Sequence, residues 1–283
     1  VKMNKFVYLN GQLIPSHEAK ISIFDRGFLF ADSVYEVIPV YTGRPFFLEQ
    51  HLKRLQSSLE QARIASPSVD WENVLSKLIE RNGNGDMQLY IQVTRGNQGM
   101  RKHDIPSDLQ PTVIAFTIHN NFPGPLAAEG LHAVILEDYR WHRCDIKTTA
   151  LLANVLLNDD AVRQGGDTSI LCRDGFITEG SASNIFLVGK DNIIRTPPLT
   201  HYCLPGITRE ITLNLIHSLK WKVLEEPIPV QDVFTASELW ITSTTKEIYP
   251  VTRVNRLQIG DGKGGKYWQQ INTRYKELVR NYE

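Results

Sequence analysis

A lysine, a carboxylate and a group of small hydroxylated residues are the best-placed chemistry in this 283-residue sequence. Lys147 stands in WHRCDIKTTALL, between an aromatic and basic stretch and the start of an apolar helix. Apolar neighbours and nearby cations disfavour an ammonium ion, and an amine that gives up its proton readily is what a Schiff-base lysine needs. On its own the segment also suits a solvated lysine ahead of a helix. Glu179, in ITEGSASNIF, follows a strand-like run and precedes small residues that allow a flat ligand to approach closely. Such a carboxylate can pair with a pyridinium nitrogen, or can simply occupy an exposed turn.

Gly206-Ile207-Thr208 opens the amphipathic run ITREITLNLI, so backbone N–H groups and the Thr208 hydroxyl point beyond a helix start. Helix dipole and unpaired donors make that an anion site, with an ordinary N-cap as the alternative. Ser243-Thr244-Thr245 follows a strand and offers hydroxyls to the same anion, or forms a polar turn.

The elements that must position these groups follow from periodicity. FVYLNG and QLIP flank Asn10-Gly11 and predict a hairpin, because that dipeptide accepts positive φ. Val34 to Tyr41 and Arg44 to Phe47 form a second strand pair about Thr42-Gly43. Helices are expected at Glu49 to Ile64, with Leu52, Leu55, Leu59 and Ala62 in one stripe, and at Trp71 to Arg81. Strands follow at Gln88 to Thr94 and Thr112 to Thr117. The Pro-, Gly- and Asn-rich segment HNNFPGPLAAEG marks a linker, so the chain divides into an N-terminal α+β domain at 1–121, a linker at 122–130 and a C-terminal domain at 131–283. The second domain reads as a strand from Leu131 to Glu137, a loop through Lys147, and a helix from Ala150 to Gln164. Short strands come next at Ser169 to Cys172, Phe176 to Thr178 and Asn184 to Val188. A helix at Thr208 to Leu219, a strand at Glu238 to Thr242 and a helix from Lys266 complete it. Many short strands imply a barrel-like sheet, and the whole an α+β class.

Composition narrows the partners. Thirty-one basic residues balance thirty-one acidic ones, so no long-range field draws the chain to nucleic acid or an anionic membrane. Cys144, Cys172 and Cys203 are too few and too scattered for a disulfide framework or a zinc site, which favours a reducing cytoplasm and no metal. The opening VKMNKFVYLNGQLIP lacks the apolar run of a signal peptide, and no apolar stretch is long enough to span a bilayer. Val1 and Lys2 precede a plausible start at Met3 and carry no function in this reading.

Seven blocks in order, DRGFLFADSVYEV, EQHLKRL, YIQVTRGNQGMRKH, WHRCDIK, ITEGSASNIF, LPGITRE and ITSTTKEI, carry a resemblance over nearly the whole chain. The chain resembles the class IV (fold type IV) aminotransferases, and within them the D-amino acid transaminases. The resemblance implies pyridoxal 5'-phosphate (PLP) as cofactor and a two-domain fold with a smaller N-terminal domain and a barrel-like C-terminal one. It implies that Lys147 anchors the cofactor as a Schiff base and then serves as the base, and that Glu179 keeps the pyridine nitrogen protonated. Arg54, Ile207, Thr208, Ser243 and Thr244 would hold the phosphate, and Leu204 would back the ring. Tyr35, Arg101 and His103 would trap the substrate α-carboxylate, the last two arriving from the other subunit of a homodimer.

The implied reaction is transfer from a D-amino acid, D-alanine first, to 2-oxoglutarate, giving D-glutamate. Branched-chain L-amino acid aminotransferase, (R)-amine transaminase and aminodeoxychorismate lyase are alternatives in the same fold. The KTT after Asp145-Ile146 is compatible with the lyase, whereas Arg101 and His103 argue against it. A PLP-binding scaffold without catalysis is the non-enzymatic alternative, opposed by Lys147 and Glu179. The chain departs from the pattern at Ala31 and Ser33, where glycines are frequent, at Ala182, where serine is frequent, and in a longer loop before Arg101.

Overall fold

The computed structural model describes residues 5–119 and 130–282. It divides into two compact units, Val1–Phe122 with Ile146–Leu151, and Pro123–Asp145 with Leu152–Glu283. The linker expected at 122–130 lies, apart from Gly130, outside the described residues.

The first unit contains β1 (Phe6–Leu9), β2 (Gln12–Pro15), α1 (Arg26–Phe30), β3 (Ser33–Tyr41), β4 (Arg44–Pro45), α2 (Leu48–Ala62), α3 (Trp71–Asn82), β5 (Met87–Thr94) and β6 (Thr112–Ile118). Its strands form one six-stranded sheet in the order β2-β1-β6-β5-β3-β4. Asn10 at φ 46° and Gly11 at φ 95° make the expected turn between β1 and β2. Strand alternation sorts the central pair into two faces. Val34, Ile38 and Val40 stand opposite Val93, Leu89 and Met87 and join the core with Leu55 and Leu59 of α2 and Leu75, Leu78 and Ile79 of α3. Each fully buried aliphatic side chain there contributes roughly 1.5–3 kcal/mol. Ser33, Tyr35, Tyr90 and Gln92 occupy the other face, so the same two strands carry a core and a polar surface.

The segment bearing Lys147 belongs to this unit, not to a domain beginning at residue 131. Tyr35 N–H donates to the Lys147 carbonyl at 3.0 Å, Thr149 N–H donates to the Ser33 carbonyl at 3.1 Å, and Val34 bridges to Thr148. Residues 147–149 thus pair with β3 through an isolated bridge, and backbone hydrogen bonding rather than chain order decides which unit holds them.

The second unit contains β7 (Leu131–Glu137), α4 (Leu152–Arg163), β8 (Thr168–Arg173), β9 (Phe176–Gly180), β10 (Asn184–Val188), β11 (Ile194–Thr196), α5 (Ile207–Ser218), β12 (Val223–Glu225), β13 (Ile228–Pro229), α6 (Val230–Thr235), β14 (Glu238–Ser243), β15 (Glu247–Val254), β16 (Leu257–Gln258) and α7 (Lys266–Asn281). Ten strands form the expected large sheet, in the order β12-β11-β10-β14-β15-β7-β8-β9-β13 with β16 on β15. Strand β15 lies between β14 and β7 yet is hidden in the sequence, because Pro250 stands inside it. Its ladder to β7 shifts register between Val251 and Arg253, an irregularity of the kind that admits a residue with no N–H.

Candidate active site

In the first unit Lys147 and Tyr35 come together: Nζ lies 4.3 Å from the centre of the phenol ring. Tyr35 stacks on Tyr90 at 5.6 Å, and Tyr90 stacks on Phe116 at 4.7 Å. A polar chain runs beside this aromatic row. Tyr90 Oη donates to Gln92 Oε1 at 3.0 Å, Gln92 Nε2 donates to Ser33 Oγ at 3.0 Å, and Ser33 Oγ is hydrogen-bonded to Thr149 Oγ1. Burial, reinforced by Tyr35, pushes the Tyr90 phenol up to about 12, so it stays a neutral donor. Ser33, a departure from the family pattern, therefore ties β3 to the Lys147 segment through its hydroxyl. Ala31, another departure, ends α1 at φ 54°, a left-handed position that suits glycine and costs an L-residue about 1–2 kcal/mol.

Beneath the sheet, one stripe of α2 supports the same segment. Ser58 Oγ accepts from Lys147 N–H at 3.3 Å, and Arg54 and His51 lie one and two turns earlier. Arg54 grips Glu36 with Nε at 2.7 Å and NH2 at 2.8 Å, and His51 Nδ1 lies 2.8 Å from the same carboxylate. Burial alone would raise the Glu36 carboxyl, but Arg54 and then His51 hold it at about 2. Burial also lowers the His51 imidazole, which stays neutral. Arg54 is thus fixed by a fully buried carboxylate that sequence reasoning passed over. The clue was parity, since a Glu one residue past Tyr35 must face the core.

Arg101 and His103 are exposed, on the loop between β5 and β6. Both rest on Phe30 of α1, with the Arg101 guanidinium 5.2 Å and the His103 ring 5.2 Å from its centre.

In the second unit Glu179, at the end of β9, is buried. Its Oε1 accepts from Arg140 NH1 at 2.6 Å, and its Oε2 accepts from Leu204 N–H at 3.0 Å and Asn184 Nδ2 at 3.3 Å. Burial pushes the Glu179 carboxyl up, while Arg140 and the Leu204 N–H oppose that shift. Arg140 is itself held by Asp138, from Nε and NH2 at 2.9 Å each, and Thr178 Oγ1 donates to Asp138 at 2.9 Å. Neither Asp138 nor Arg140 was read as functional. Their spacing of two in an extended segment was the available signal.

Ile207 and Thr208 form the first turn of α5, whose N-cap Gly206 supplies no side-chain acceptor. Asn184 joins that helix start to Glu179. Its Nδ2 also donates to the Leu204 carbonyl at 2.9 Å, and its Oδ1 fills the space where a Cβ on Gly206 would lie, 2.0 Å away. Ser243 ends β14 and Thr244 begins the turn to β15, over which Ser243 Oγ accepts from Lys246 N–H at 3.1 Å.

Within the second unit a buried carboxylate suited to a ring N–H and an uncapped helix start with a hydroxyl at its second position have the chemistry that a PLP ring and phosphate require, and within the first a lysine against an aromatic ring has the chemistry that its aldehyde requires. Among the described residues no group of side chains could hold a metal ion.

The model of the amino-transferase class IV family matches residues 33–254. The chain belongs to the class IV aminotransferases. As a member of that family it is a PLP-dependent aminotransferase. It is 38% identical to the D-alanine aminotransferase of Bacillus licheniformis over 96% of either chain. Its fold matches the Escherichia coli branched-chain amino acid aminotransferase with a TM-score of 0.89, 23% identity, and coverage of 98% of this chain and 95% of that one. The T.th. branched-chain amino acid aminotransferase with pyridoxamine 5'-phosphate matches with a TM-score of 0.88 and 23% identity, over 98% of this chain and 94% of that one.

Proposed function

We propose that this class IV aminotransferase moves the amino group of a D-amino acid, D-alanine first, to 2-oxoglutarate, forming pyruvate and D-glutamate. The observation that carries the proposal is the pairing of Arg101 and His103 over Phe30, two exposed cation-forming side chains of the kind that grip a carboxylate. The full-length likeness to D-alanine aminotransferases supports it.

When bound, PLP supplies an aldehyde that takes up the amino group and a ring that draws electrons from Cα. Lys147 Nζ would anchor the cofactor and would then carry the proton taken from the substrate Cα. Glu179 would accept the hydrogen bond of the protonated ring nitrogen, and its three protein donors orient the carboxylate for that task. The first-turn N–H groups of α5, the Thr208 hydroxyl, Ser243, Thr244 and Arg54 would hold the phosphate, and Leu204 would back the ring. Tyr35, Arg101 and His103 orient the substrate carboxylate.

The catalytic unit in this reading is a homodimer in which Arg101 and His103 serve the partner's site. Leu152, Val155, Leu156 and Val162 of α4 support it, exposed at 73%, 60%, 46% and 52% on the side opposite the buried Leu157 and Ala161. Three free cysteines support a reducing, cytoplasmic location. Among the described residues no helix is long and apolar enough to cross a membrane.

The test is a half-reaction scan of D- and L-amino acids by cofactor absorbance, with pyruvate release from D-alanine and 2-oxoglutarate as the turnover assay. Faster reaction of an L-branched-chain amino acid, with no pyruvate from D-alanine, would reject the D-specific reading. Mixing Lys147→Ala and Arg101→Ala proteins tests the shared site. Partial activity returns if the guanidinium comes from the partner, and none returns if each subunit supplies its own.

A further inference from the structure

We propose that Arg26 is a positioning residue that fixes the loop bearing Arg101 and His103 in its working shape; its catalytic consequence rests on the carboxylate reading above. Between Arg95 and Pro111 the loop has no strand or helix of its own. Its conformation must therefore come from contacts made to it.

Arg26 makes those contacts from inside the unit, at 4% exposure. NH1 donates to Gln98 Oε1 at 2.6 Å, to the Lys102 carbonyl at 2.7 Å and to the Asp104 carbonyl at 3.3 Å, and NH2 donates to the His103 carbonyl at 3.3 Å. Three successive carbonyls thus converge on one guanidinium, and the residue before them is Arg101. Phe30, one turn along α1 from Arg26, is the ring on which Arg101 and His103 rest.

The clamp is anchored at its other end. Arg26 Nε donates to Asp32 Oδ2 at 2.8 Å, and Arg95 donates to both oxygens of Asp32 and to the Ala62 and Arg63 carbonyls at the end of α2. Burial would raise the Asp32 carboxyl, but Arg95 and Arg26 outweigh it and keep it below its ordinary value. The start of α1 is pinned to both stems of the loop. Arg26 N–H donates to the Gly96 carbonyl at 2.9 Å, and Thr112 Oγ1 donates to Asp25 Oδ2 at 2.6 Å. A Cβ on Gly27 would lie 2.4 Å from Thr94 Cγ2, so the approach depends on glycine. The DRG of the first matched block is accordingly a frame for a loop more than seventy residues later in the chain.

A lysine cannot replace this fork. Its single nitrogen carries three donors and cannot span Asp32 and four loop acceptors together. The PLP-loaded Arg26→Lys protein tests the proposal, with wild type and Arg101→Ala for comparison, by hydrogen exchange of the amides in 98–104 and by steady-state kinetics. Lysine keeps the charge, and an unchanged unfolding transition and cofactor spectrum show that the fold and the PLP site survive. The expected result is exchange at least about tenfold faster in 98–104 alone, with KM for amino acid and 2-oxo acid up about tenfold and kcat within about threefold. Unchanged exchange in Arg26→Lys overturns the proposal, even if Arg101→Ala raises KM. Faster exchange with KM unmoved in both variants supports the clamp and rejects the carboxylate role of Arg101. Exchange that rises throughout the first unit also overturns it, since Arg26 is then a general structural residue.

Discussion

Arg140 places NH1 2.6 Å from Oε1 of Glu179, and Asp138 closes on the other side of the same guanidinium. The carboxylate proposed to pair with the cofactor ring is thus the outer member of a buried chain of alternating charge, Asp138, Arg140, Glu179. Alternation offsets the cost of burying each charge, because each has an opposite neighbour and hydrogen bonds as well.

Glu179→Gln removes the charge that favours a protonated ring nitrogen while keeping the shape. We expect kcat to fall about a hundredfold or more, with cofactor affinity changed far less. Turnover of D-alanine with 2-oxoglutarate, set beside a PLP titration, separates the two effects. Equal losses in both would count against the assigned role.

Lys147→Ala removes the anchor and the proton carrier together, so turnover should drop by about ten-thousandfold or more. The absorbance band of the lysine-bound cofactor should vanish too. Activity surviving within tenfold of wild type would sink the assignment.

Glu36→Gln leaves Arg54 and His51 around a neutral amide. Breaking a buried ion pair of this kind costs about 3–5 kcal/mol, read from urea unfolding at neutral pH. The sign of the pH dependence follows from the depressed carboxyl. With Glu36 at about 2 in the folded chain and 4.5 as its ordinary value, its stabilisation is complete above pH 4.5 and is lost as pH falls towards 2. Neutral, buried His51 acts in the same direction, since unfolded chains take up its proton first as pH drops below 6.5. Unfolding free energy should therefore fall from pH 7 to pH 3, and fall less steeply in Glu36→Gln. Parallel profiles would refute the coupling.

Gly206→Ala sets a methyl group 2.0 Å from Asn184 Oδ1, so the start of α5 and Asn184 must separate. Because Asn184 also holds Glu179, PLP binding should weaken by about tenfold or more, roughly 1.4 kcal/mol. A PLP titration of the apoprotein checks it; an unchanged dissociation constant would show that the helix start does not depend on this contact.

Local chemistry made much of this protein legible in its sequence. Asn10-Gly11 announces its hairpin because few dipeptides accept two positive φ angles, and the stripe through Leu55 and Leu59 announces α2 because a buried helix face repeats every three or four residues. The family was legible for a related reason: the blocks around Lys147, Glu179 and the GIT that opens α5 are ordered short-range patterns that identify it. Strand β15 was not, since Pro250 interrupts the local signal and only its neighbours β14 and β7 make it a strand. Lys147 itself shows the division. The sequence singled out this lysine as the expected Schiff-base residue, while the tertiary structure alone decided that its segment pairs with β3, sets Nζ against Tyr35 and rests on Ser58. The same holds for Arg54 on Glu36, Arg140 on Glu179 and Arg26 beneath its loop. A buried charge must find a partner, and burial brings together residues whose separation along the chain says nothing of their distance in space.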